Sequence, residues 1–376
     1  MKIAVLTLPL KTNYGGLLQA YALQQVLLRL GHEAIVLDRR KRALTVLRKI
    51  LAVFRNVFRR VRGQQLLFFP TEQEEAIVSQ HTARFINQYI RKTEVIRSSR
   101  ALVRVFKNEG FDAIIVGSDQ VWRPRFSNVG NCFLDFLDND NMIRKVAYAA
   151  SFGVDHWEFS SRMTRRCRRL IKGFDAVSVR EDSGIMLCKN YLQSDAQLVL
   201  DPTLLLDGED YCLLAESNNN LSSTGGLVSY ILDSSAANKA IIEKVATITN
   251  LTHFSNSPGL KLTNESRNNI ESCIARPVSQ WLQRILNAEF IITDSFHGCV
   301  FSIMFNKPFI AIGNRGRGLS RFESLLDMFN LCDRLIFSLS DLSEKLLLSE
   351  MDWESVNKIL NQKKRESLLY LIRAFN

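Results

Sequence analysis

The chain has 376 residues, enough for two domains of ordinary size, and 46% of them are hydrophobic, so a sizeable core can form. There is no apolar run of about 18 residues to cross a bilayer, and the opening run 1–6 is too short for a signal peptide and lacks a small-residue cleavage site. Most of the +11 net charge is local: residues 39–62 hold ten Lys/Arg and no acid, and residues 162–172 hold six more. Neither run has the form of a nucleic-acid motif, so nucleic acid is not an expected partner. The seven cysteines are scattered with no CxxC pair, which argues against both a disulfide framework and a zinc site. A cytoplasmic, metal-free protein is expected.

In chain order, an apolar strand is predicted over 2–8, a loop over 11–16, a helix over 17–30 closed by Gly31, and a strand over 34–37. This βαβ opening starts a doubly wound domain, and its loop sits where helix N–H groups face anions. Apolar residues at 44, 47, 51, 54, 58 and 61 follow helical spacing and alternate with Arg/Lys. That pattern fits a helix lying on an anionic membrane through residues 39–62, or one docked on its own domain. A helical arm is predicted over 72–92. Strands follow over 111–116, 145–151, 176–179 and 198–200, with a basic helix over 160–173. The polar run 217–226 reads as a linker. Beyond it come strands at 227–232 and 252–255, helices at 238–249 and 279–288, and a long last helix at 353–375. The chain thus divides into 1–216, with a helical insertion at 40–105, and 227–376.

Two strand ends are polar in a way that suggests chemistry. Residues 117–122 (GSDQVW) close one strand, and Trp122 offers a flat face for a sugar, unless Ser118 and Asp119 only cap their own backbone. Residues 290–323 read as strand, helix, strand, helix, with His297 and a glycine- and arginine-rich loop at the strand carboxyl ends, where such sheets bind ligands. His297 either moves a proton or is a buried histidine bonded to Asp294. Arg180 at the end of the 176–179 strand either faces a ligand or pairs with an acid such as Glu181.

Six segments together resemble the polysaccharide pyruvyl transferase family: NYGGLLQAYALQ at 13–24, FDAIIVGSDQVW at 111–122, VAYAASFG at 146–153, VSVRE at 177–181, LDPTLLL at 200–206 and FIITDSFHGCVFSIMFNKPFIAI at 290–312. The resemblance implies an α/β fold of two facing Rossmann-like domains, GT-B-like, with a cleft between them. It implies transfer of a pyruvyl group from phosphoenolpyruvate, as substrate with no cofactor, to a sugar or lipid-linked oligosaccharide, forming a ketal. The family's essential histidine falls on His297, with Asp294 beside it, and the VRE arginine, a donor ligand, on Arg180. Ser295 and Gly298 flank the histidine on the donor side. Many members have an arginine where this chain has Ser295. A serine cannot replace a bidentate cation, so Arg315, Arg317 or Arg321 grips the phosphate, or the donor differs.

By analogy with two-domain glycosyltransferases, Asn13, Tyr14, Gly15, Gly16 and Gln19, with Ser118, Asp119, Gln120 and Trp122, fall on the acceptor side. The expected location is the cytoplasm, at the inner face of the plasma membrane. The competing readings are a nucleotide-sugar glycosyltransferase of the same fold and a non-catalytic membrane-surface module.

Overall fold

The computed structural model describes residues 1–40, 70–137, 140, 142–216, 225–314 and 318–376. The amphipathic stretch 44–61, most of the 217–226 linker, and Arg315 and Arg317 lie outside the described residues.

Strand β1 (Lys2–Leu6) is apolar after its lysine because both of its faces are covered. Ile3 and Val5 enter one core, and Ala4 and Leu6 another. Apolar runs without alternation are what parallel sheets between helical layers require. β1 pairs in parallel with β2 (Glu33–Val36) and β3 (Ala113–Val116). With β4 (Arg144–Ala150), β5 (Ala176–Val179) and β6 (Gln197–Leu198) they form a six-stranded sheet in the order β2-β1-β3-β4-β5-β6. The second half repeats the plan. β7 (Leu227–Tyr230), β8 (His253–Ser255), β9 (Phe290–Thr293), β10 (Phe309–Ile312) and β11 (Leu335–Ile336) form a parallel sheet in the order β11-β10-β9-β7-β8.

Two helices begin one turn earlier than their apolar patterns suggest. The first spans Tyr14–Arg29 because Asn13 is extended and its Oδ1 accepts the Gly16 N–H at 3.3 Å. The helix after β9 spans Phe296–Met304, which puts His297 in its first turn rather than in the loop before it. The 72–92 arm is two short helices, Glu72–Val78 and Gln80–Tyr89. The second covers the first helix, with Phe85 and Tyr89 rings 6.0 and 6.3 Å from Tyr21.

One apolar core runs through both halves, joining Tyr14, Leu17 and Tyr211 to Tyr230, Trp281 and Phe301. Tyr14 stacks on Trp281 at 5.4 Å, and its hydroxyl donates to the Arg276 carbonyl at 3.1 Å. The helix Gly208–Glu216 packs on Val278–Leu286 of the second half, and its Tyr211 meets Phe301 edge-on at 5.0 Å. The last helix, Trp353–Phe375, returns to the first half. There Tyr370 donates to the Ala147 carbonyl at 2.9 Å, and the Leu200 N–H donates to Ser367 at 3.0 Å. Among the described residues no helix is long and apolar enough to cross a membrane.

Candidate active site

The carboxyl ends of β3, β5, β6 and β9 converge at the seam between the halves. β5 delivers Arg180, whose side chain is buried between two carboxylates. Nη1 donates to Asp201 Oδ2 at 2.6 Å and Nη2 to Asp119 Oδ1 at 3.2 Å. Asp201, just past β6, is a hub. Its Oδ2 also accepts from Ser118 Oγ at 3.1 Å, and its Oδ1 accepts from Thr203 N–H at 3.1 Å and Oγ1 at 2.7 Å. Burial works against its charge, yet His297 and Arg180 together hold its carboxyl well below the usual carboxylate range. Asp119 behaves alike: burial opposes ionisation, and Arg180, then His297, lower its pKa.

His297 comes from the other half. Its Nε2 lies 3.7 Å from Asp201 Oδ2, a charge contact too long for a hydrogen bond, and this buried atom has no hydrogen-bond partner among the described residues. The far side of the imidazole rests on the first helix, where a Cβ built on Gly15 would overlap Nδ1. Glycine at position 15 is therefore what lets the ring enter the seam. Gly298 has a similar reason, since a side chain there would strike Thr293 Oγ1 behind the turn.

Beside the histidine, the Phe296 ring takes two guanidinium groups, Arg180 at 4.5 Å and Arg321 at 5.6 Å from its centroid. Arg321 stands in the first turn of the helix Ser320–Met328. Burial, reinforced by Arg180, lowers its pKa to about 10. Arg180 is paired with Asp119 and Asp201, while Asp119 and Glu181 partly offset the effect of Arg180 on Arg321. Neither the Phe296–Met304 helix nor the Ser320–Met328 helix has a side-chain cap. The N-terminal end of each helix carries a partial positive charge, which in the second is opposed by Glu323 in the first turn. Glu181, next to Arg180, serves the opposite wall: its Oε1 accepts from Ser151 Oγ and from the N–H groups of Phe152 and Gly153, at 2.8–3.0 Å. Gly318 packs on the Gly153 carbonyl, and Ser324 Oγ donates to Asp182 Oδ2 at 2.9 Å, which closes the halves over the cluster.

The structure brings together Gly15, Ser118, Asp119, Arg180, His297 and Arg321. Other expected site residues have different work. Asp294 is not a partner of His297: its carboxylate accepts the N–H groups of Leu232 and Asp233 at 2.6 and 2.8 Å, tying β9 to the end of β7. Trp122 has no open face for a sugar, because it is buried against Phe133 at 4.9 Å and Phe152 at 5.2 Å and donates to the Cys132 carbonyl. Tyr14 is enclosed in the seam, where burial pushes its hydroxyl up to about 12. Gln19 braces the loop after β3 from behind, accepting the Ser118 N–H at 3.1 Å and donating to Thr7. Asn13 and Gly16 form the helix cap, and Gln120 accepts from Arg123 at 3.2 Å. Ser295, the position of the absent arginine, is buried, and its N–H donates to Thr293 Oγ1 at 3.0 Å. Asp201 and Phe296 were not singled out from sequence. The polar end of LDPTLLL was a signal for Asp201, while nothing marks Phe296 among its apolar neighbours.

Two parallel sheets covered by helices and facing each other across a seam define the two-domain GT-B architecture. UDP-GlcNAc 2-epimerase from Neisseria meningitidis, solved bound to UDP-GlcNAc, is 10% identical with a TM-score of 0.52, over 99% of this chain and 100% of that one. UDP-N-acetylglucosamine 2-epimerase from Rickettsia bellii is 10% identical with a TM-score of 0.50, over 99% and 96%. At this identity the likeness shows the fold alone. The comparison with curated proteins found no match. The chain belongs to the polysaccharide pyruvyl transferase family, whose model matches residues 13–316.

Proposed function

We propose that the protein transfers the pyruvyl group of phosphoenolpyruvate to a hydroxyl pair on a sugar of a cell-surface polysaccharide, or of its lipid-linked precursor, forming a ketal. The observation that carries the reading is the Phe296–His297 turn: two buried guanidinium groups share the Phe296 ring, and an imidazole follows immediately. Phosphoenolpyruvate is a small donor with a carboxylate and a phosphate, the groups arginine grips best. Arg321, at the N-terminus of an uncapped helix, supplies the cation that Ser295 does not. Arg180 is fixed by its two carboxylates and lends field more than a free fork.

The chemistry then needs one proton delivered and others removed. A sugar hydroxyl adds to the central carbon of the donor while the methylene carbon takes a proton and becomes a methyl group. Phosphate leaves as the second hydroxyl closes the ketal, and each hydroxyl proton passes to a base. An imidazole suits such transfers near neutral pH. His297, in its charged form, is assigned the proton given to the methylene.

The test is phosphate release from phosphoenolpyruvate with a panel of nitrophenyl and lipid-linked sugars. The wild type should release phosphate only when an acceptor is present, and His297→Ala should lose turnover while keeping its melting temperature. Near-wild-type release by that variant would remove His297 from the chemistry. Thermal protection by uridine or guanosine diphosphate sugars, without phosphate release, would favour a glycosyltransferase.

A further inference from the structure

We propose that Asp201 is the positioning residue of this site: the carboxylate of the first half that faces the imidazole of the second half and aims it. The proposal rests on the reading of His297 as a proton carrier. Asp201 is 2% exposed and makes contacts that fix its plane. Thr203 clamps Oδ1 through both its N–H and its hydroxyl, so Oδ2 must face Ser118, Arg180 and His297. Oδ2 is the nearest negative charge to the unpartnered Nε2, at 3.7 Å.

The remaining charges around the ring make that carboxylate necessary. Arg180 and Arg321 oppose an imidazolium, and so do the N-terminal ends of the Phe296–Met304 and Tyr14–Arg29 helices, at which His297 and Gly15 stand. Asp119 also favours it, although Arg180 engages its Oδ1. Arg180 draws on both carboxylates, so Asp201 is shared between a fixed guanidinium and an imidazole that changes charge. Because the two partners sit on different halves, only the closed seam assembles the pair.

The experiment follows the ring itself, so its outcome does not depend on whether phosphoenolpyruvate is the donor. The His297 ring signals among the chain's five histidines are assigned by nuclear magnetic resonance through comparison with His297→Ala. They are then titrated in the wild type and in Asp201→Asn. The variant's ring should lose its charge about one pH unit or more below the wild type, as expected when an opposite charge within about 4–6 Å is removed. Where turnover is measurable, the alkaline limb of the kcat profile should move the same way with little change in donor KM. Should Asp201→Asn not fold, Thr203→Val keeps the charge but removes the hydroxyl half of the clamp on Oδ1, and a smaller shift in the same direction is expected. Coincident titrations in the wild type and in whichever variant folds, or a kcat that falls equally at every pH, would overturn the proposal and leave Asp201 as a structural partner of Arg180.

Discussion

Removing the Arg180 guanidinium would leave Asp119 and Asp201, both buried, without their shared cation. Breaking a buried pair in this way costs about 3–5 kcal/mol. Arg180→Ala is therefore expected to show a much lower urea midpoint, and not only a raised donor KM. The effect has a sign in pH. Both carboxyls have lowered pKa values in the folded state, so their contribution is present above the ordinary carboxylate range of about 4 and is lost as pH falls through their folded values. In the variant the same groups gain from protonation, so the stability gap to the wild type should narrow below about pH 4. A gap that stays constant from pH 7 to pH 3 would contradict the network. At this scale the sequence was partly legible. His297 and Arg180 stood out because they are polar residues at the ends of apolar strands. The carboxylate that faces His297 was not legible: Asp294 is near in sequence, but the N–H groups of Leu232 and Asp233 hold its carboxylate at the β7 end, while Asp201 arrives from 96 positions away through the sheet. Trp122 misled because an aromatic at a strand end looks the same in sequence whether its face is open or packed.

Gly15 is the point where one element makes room for another. Alanine has a higher helix propensity than glycine, so Gly15→Ala should not unfold the protein. Its Cβ would nevertheless overlap His297 Nδ1 and push the ring out of register. A shift of about 1 Å in a reacting group can cost about 10²-fold in rate. The expected outcome is a kcat lower by roughly that factor with a melting temperature close to wild type. Near-wild-type kcat would mean that the imidazole is not fixed by this contact. The apolar strands and most helices could be read from pattern, since both faces of the central parallel strands are covered. The helix starts could not, because the turns at Asn13 and Ser295 are set by backbone conformation, and first-turn residues such as Tyr14 and Phe296 break the simple periodicity.

The two halves are held by an aromatic cluster as well as by the site. Trp281 is fully buried and touches Tyr14, Tyr230 and Phe301 at 5.1–5.4 Å between ring centres. Trp281→Ala removes that packing and should cost about 3–5 kcal/mol. Chemical denaturation should report the loss as a lower midpoint. A loss below about 1 kcal/mol would mean that the seam is loosely packed. The two-domain plan was legible in sequence because strand and helix patterns restart after residue 226. The closeness of the halves was not, since it depends on Tyr14 crossing to Arg276 and on the last helix recrossing to Ala147 and Leu200. Together these contacts bury His297, Asp201 and Arg180 at the seam between the halves. The most direct measurement is to run the reaction in heavy water with phosphoenolpyruvate and an active sugar acceptor, and to read the product by nuclear magnetic resonance. The expected product is a pyruvyl ketal whose methyl group carries one solvent-derived deuterium, formed by the wild type and absent with a folded His297→Ala. A ketal made equally well by that variant, or a product with no pyruvyl group, would contradict it.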